Sequence, residues 1–63
     1  MIKLKIGDRV RLNGDGLNVR QDGMTNWIGE VTGEYHEQWE RYPVRWFRKD
    51  ISWMEHESYL SLV

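Results

Sequence analysis

Short runs of alternating apolar and polar residues recur along this chain, each cut off by turn-forming residues: Gly7-Asp8-Arg9-Val10-Arg11-Leu12, Trp27-Ile28-Gly29-Glu30-Val31, Tyr42-Pro43-Val44-Arg45-Trp46 and a closing Leu60-Ser61-Leu62-Val63. Alternation over so few residues is the signature of half-buried strands. Several such strands separated by Gly, Asn and Asp clusters predict an all-β fold, a small and strongly bent five-stranded antiparallel barrel.

The 63 residues allow one domain and one core, close to the lower size limit for folding without a staple. The chain meets that limit with rings. Four Trp, three Tyr and one Phe remove far more area from water per residue than aliphatic side chains do. The absence of Cys excludes disulfides, thiolate metal sites and cysteine nucleophiles. It fits a reducing cytoplasm. No apolar run approaches membrane-spanning length, and Met1-Ile2-Lys3-Leu4-Lys5 lacks the hydrophobic stretch of a signal peptide. Neither a membrane nor a small-molecule substrate is expected.

The first strand is predicted over residues 5–12, with Ile6, Val10 and Leu12 inward and Lys5, Arg9 and Arg11 outward. Residues 13–26 are Gly- and Asn-rich and read as a long excursion, open to a loose hairpin, that Leu17, Val19 and Met24 pin to the barrel. The second strand, residues 27–35, places Trp27, Gly29, Val31, Gly33 and Tyr35 on one face. Two glycines there predict a bend or a close backbone approach. After a polar connection carrying Trp39, the third strand spans residues 41–47, with Tyr42, Val44 and Trp46 inward. Pro43 falls on its outward set, and its missing N–H predicts an edge or a bulge. A turn at Arg48-Lys49-Asp50 leads to a fourth strand over residues 51–55, a single tight helical turn near residues 56–59, and a last strand at residues 60–63.

Nine basic and ten acidic side chains give a net charge of −1, without the global positive field of a non-specific nucleic-acid binder. The signs are blocked along the chain, so Glu30 and Glu34 are expected across from Arg41 and Arg45 on the solvent face of neighbouring strands.

These segments together resemble the SH3-like small-barrel superfamily, which includes Tudor-like, chromo-barrel and KOW modules. The resemblance rests on the Gly-Asp-Arg-Val-Arg opening, Trp-x-Gly-x-Val, Tyr-x-Val-x-Trp and the short turn before Leu-x-Leu-Val, and it covers nearly everything outside residues 13–26. It implies barrel architecture, since its motifs are turn, close approach and core aromatics. A narrower likeness links the opening and the Trp-x-Gly-x-Val strand to the plasmid-borne type II dihydrofolate reductases. Their Val-Gln-Ile-Tyr segment and pore Lys have no counterpart in Ile51-Ser52-Trp53-Met54 and Leu12-Asn13, so that activity does not carry over.

Catalytic chemistry has little to build on. His36 and His56 lie in separate connections, none of Ser52, Ser58 and Ser61 sits on a strained elbow with a recognisable base, and Gly14-Asp15-Gly16 lacks the following Lys and the helix N-terminus of a phosphate loop. No catalytic residue, metal or cofactor is expected. The rings are more informative. If Trp27, Tyr35, Tyr42 and Trp46 form the core, then Trp39, Phe47, Trp53 and Tyr59 exceed what one small interior needs.

Rings beside arginine compose a binding hot spot. The sequence therefore predicts a non-enzymatic interaction module engaging a protein partner or a second copy through Trp39, Phe47 and Trp53, with Arg45 and Arg48 at the rim. A second reading is a KOW-like nucleic-acid binder that sets Arg9, Arg11, Arg41, Arg45, Arg48 and Lys49 against phosphates and the same rings against bases. A third is an aromatic cage for a methylated cation, completed by a carboxylate such as Glu55. So short a stand-alone barrel suits a phage or mobile-element accessory protein.

Overall fold

The computed structural model describes residues 3–20 and 23–63. Met1, Ile2, Gln21 and Asp22 lie outside the described residues, and with them parts of the amino-terminal segment and the excursion. The elements are β1 (Arg9–Leu12), α1 (Gly14–Val19), β2 (Gly29–Val31), β3 (Arg41–Trp46), β4 (Ile51–His56), a 3-10 turn (Glu57–Tyr59) and β5 (Leu60–Leu62). All five strands belong to one antiparallel sheet in the order β4-β3-β2-β1-β5. The five strands and the tight turn before the last one are those the alternation predicts. Among the described residues no ladder joins β4 to β5, so the sheet wraps its core without hydrogen-bonded closure.

The core is the sheet's inner face. Val10, Leu12, Val31, Tyr42, Val44, Trp46 and Leu60 are buried there, and Leu4, Met24 and Trp27 cover it from the connections. Gly29 stands between Val10 and Trp46 in the cross-strand register. A Cβ at Gly29 would lie 2.7 Å from Val44 Cγ1 and 2.8 Å from Trp46 Cε3, so only glycine lets the indole lie against this strand. Gly33 approaches the Pro43 ring in the same way, its notional Cβ 2.9 Å from Pro43 Cγ. Both glycines mark close approaches, but the second strand, expected over residues 27–35, is confined to Gly29–Val31, and Gly33 lies beyond it in a bend.

Four expectations are corrected. The first strand begins at Arg9, because residues 5–8 form a turn in which Asp8 N–H donates to Lys5 C=O at 3.0 Å and Gly7 takes φ 94°. The Asp8 carboxylate closes that turn by accepting from Lys5 N–H at 2.8 Å, which leaves Ile6 at the corner, 63% exposed rather than inward.

The excursion contains a helix, not a hairpin, and Gly14-Asp15-Gly16, expected as turn without a helix N-terminus, forms the first half of that six-residue helix. Asn13 caps it, accepting from Gly16 N–H at 2.9 Å while its amide donates to Ser58 C=O at 2.7 Å. Gly16 is buried so close to the 3-10 turn that a Cβ there would stand 2.8 Å from Tyr59 O. Leu17 and Met24 do pack on the core, but Val19 points into solvent.

Pro43 is not at an edge, since β3 runs between β4 and β2. In an antiparallel ladder the N–H and C=O of one residue face the same neighbour. Pro43 C=O accepts from Thr32 N–H at 3.0 Å, so the absent donor faces Thr32 too, and β2 stops one residue earlier at Val31. The proline trims a neighbouring strand.

Charge pairing follows register only in part. Glu30 lies across from both Arg9 and Arg45, whereas Arg41 faces His36 instead of Glu34.

Candidate functional site

The outward face of the sheet gathers most of the predicted binding residues. Cross-strand neighbours share a face, so the row Arg9–Glu30–Arg45 places two arginines beside one carboxylate. Phe47, two residues past Arg45, sits between those arginines. The guanidinium carbons of Arg9 and Arg45 lie 5.0 and 4.8 Å from its ring centroid, within cation–π range. The loop fixes this arrangement at its far end, where Arg45 Nη1 donates to Asp50 Oδ1 at 2.8 Å. Arg48 and Lys49 are exposed on the same hairpin tip.

Along the same face, Pro43 pairs with Met54 and leads to an open depression of about 430 Å³ lined by Trp39, Arg41 and Met54. Trp39 is 56% exposed, the only Trp, Tyr or Phe so exposed among the described residues. It is held in place by a parallel stack on His36, with centroids 5.5 Å apart. With Arg11, this face and its hairpin carry every basic side chain except Lys3, Lys5 and Arg20. A chain of near-neutral net charge therefore presents one side rich in arginine.

Trp53 is not part of this face. Its neighbours in the ladder are inward-facing, and its ring packs on Trp46 with centroids 6.1 Å apart. Its Nε1–H donates to Glu55 Oε1 at 2.8 Å, and Arg20 stands over it at 5.1 Å. Glu55 is 1% exposed, and both its oxygens accept from Arg20, Oε1 from Nε at 3.3 Å and Oε2 from Nη2 at 3.0 Å. The carboxylate expected to complete a cation cage is thus engaged by the chain's own guanidinium, which stands over a single ring. The sequence reading missed Arg20, Met54 and Pro43 as participants. Pro43 carried a signal, as an outward position in an alternating strand.

Tyr59 packs half-buried on the core and against His56, at 5.5 Å. His56 itself caps the 3-10 turn, its Nδ1 accepting from Ser58 N–H at 3.2 Å. Tyr35 packs on Tyr42 with the two rings tilted by 47° and donates its hydroxyl hydrogen to the Glu57 carboxylate. That bond, helped by desolvation and by the charges of Glu57 and Glu40, raises its pKa well above the ordinary tyrosine value.

Among the described residues no group of three His, Asp or Glu side chains is placed to hold a metal ion. None of the described helices is long and apolar enough to cross a membrane. Comparison with protein-family models, with curated proteins and with solved structures gives no match to this chain.

Proposed function

We propose that the chain is a non-enzymatic, SH3-like interaction module that docks an acidic, apolar segment of a protein partner on its outward sheet face. The strand order and the 3-10 turn before the last strand support the SH3-like reading. The observation that carries the binding role is Phe47 held between Arg9 and Arg45, on one face with the exposed Trp39 and its depression. Rigid rings bordered by guanidinium groups concentrate binding energy, because they bury area at little entropic cost and offer planar donors to carboxylates. Arg45, Phe47 and Trp39 are the anchoring residues; Arg9, Arg41, Arg48 and Lys49 form the rim. Trp53 belongs to the core.

A random peptide library displayed on phage and panned on the wild-type protein tests this reading. Enriched peptides should carry Asp or Glu beside apolar residues. Phe47→Ala and Trp39→Ala should each weaken them by about tenfold or more. No enrichment, together with tight and steeply salt-dependent binding of a single-stranded oligonucleotide, would replace the partner with nucleic acid.

A further inference from the structure

We infer that the open edge of β4 pairs with β4 of a second copy, making an antiparallel, two-fold dimer whose sheet runs through both subunits. β4 is one of the two longest strands and forms six consecutive pairs with β3, without a bulge. Along that ladder the hydrogen-bonding residues of β4 alternate. Glu57 N–H donates to Glu40 C=O at 2.9 Å, which sets the phase, so Ile51, Trp53 and Glu55 bond to β3. Ser52, Met54 and His56 turn their backbone groups outward, and no described residue pairs with them.

Such an edge is usually blocked by lysine, proline or a bulge. This one has none, and its only carboxylate, Glu55, is turned inward and bound by Arg20. Charge placement selects a second copy as the occupant. At one end of β4 lies the hairpin tip with exposed Arg48 and Lys49. At the other lies the turn with exposed Glu37 and Glu40, the latter 3.9 Å from His56. An antiparallel two-fold brings each basic tip to the other subunit's acidic turn, twice. Met54 on the axis sets Ser52 opposite His56 of the second copy, with no like charges facing. The pairing goes beyond the docking reading and joins the two outward faces into one.

Because the chain contains no Cys, single-cysteine variants report the register directly. Paired Cα atoms about 5.5 Å apart suit a disulfide, so Met54→Cys should cross-link under mild oxidation. Ser52→Cys, about 14 Å from its own copy in this register, should not. Light scattering of the wild type should show dimers whose dissociation constant rises about tenfold or more in R48E/K49E. Mixing that variant with E37K/E40K should restore association as a heterodimer. A wild type that stays monomeric up to millimolar concentration overturns the inference, as does a dimer in which Met54→Cys fails to cross-link. Peptide binding by the outward face is measured separately, so either result leaves the docking reading standing or falling on its own assay.

Discussion

Arg20 grips both oxygens of Glu55 from the far end of α1, closing 35 residues of chain with one guanidinium. Among the described residues Glu55 is the one buried charged side chain, and Trp53 Nε1–H donates to it as well. A charge taken from water in this way is tolerable only while its partner is present. Arg20→Ala should destabilise the protein by about 3 kcal/mol, at the low end for breaking a buried pair because the guanidinium is partly wet. Urea denaturation checks this, and Arg20→Met combined with Glu55→Leu should recover much of the loss.

Glycine substitutions should separate packing from flexibility. Gly29→Ala forces a methyl into Val44 and Trp46 and should cost about 2 kcal/mol or more. Gly14→Ala, at the first position of α1 with nothing within 4 Å of the added carbon, should stabilise by about 0.5 kcal/mol by narrowing the unfolded ensemble. Thermal melts of both variants would show opposite signs.

Glu40 ends the turn before β3 with φ 54°, a left-handed conformation that L side chains adopt at a cost. Its backbone is fully used, with N–H donating to Glu37 C=O and C=O accepting from Glu57 N–H. Glu40→Gly keeps those bonds and removes the Cβ clash, so it should raise stability by about 0.5–1 kcal/mol in chemical denaturation.

Tyr35 predicts an alkaline limit. Its folded pKa is raised above the unfolded value of 10.0, chiefly by the hydrogen bond it donates to Glu57. The protonated form is therefore favoured by folding. The stabilisation is fully present below pH 10.0 and is lost as pH climbs through the raised folded value. Phenolate absorbance should show one tyrosine titrating late in the folded protein. Tyr35→Phe should abolish that late step and flatten the decline in stability at high pH.

Local pattern reached far into this fold. Tyr42, Val44 and Trp46 alternate with charged or ring-constrained neighbours, which leaves only one face of β3 to bury. The glycine at position 29 announced the indole against it. Phe47 was legible as a ring among arginines, although the arginine that reaches it from β1 was not.

Other features depend on groups that meet only after the chain has turned back on itself. Gly14–Val19 has poor helix formers, and α1 exists because Asn13 and Gly16 find carbonyls and space at the 3-10 turn some 45 residues later. Pro43 reads as an edge residue until β2 is seen to stop beside it.

By itself the sequence determined that there are five strand segments, most of their inward residues and a ring-rich core, because side-chain alternation and turn chemistry act between near neighbours. The tertiary structure alone decided which of the three rings expected outside turns inward. It sent Trp53 inward to Glu55 and Arg20 and left Trp39 and Phe47 on the arginine-rich face, since that choice depends on register between strands and on desolvating charges that the chain brings together from afar.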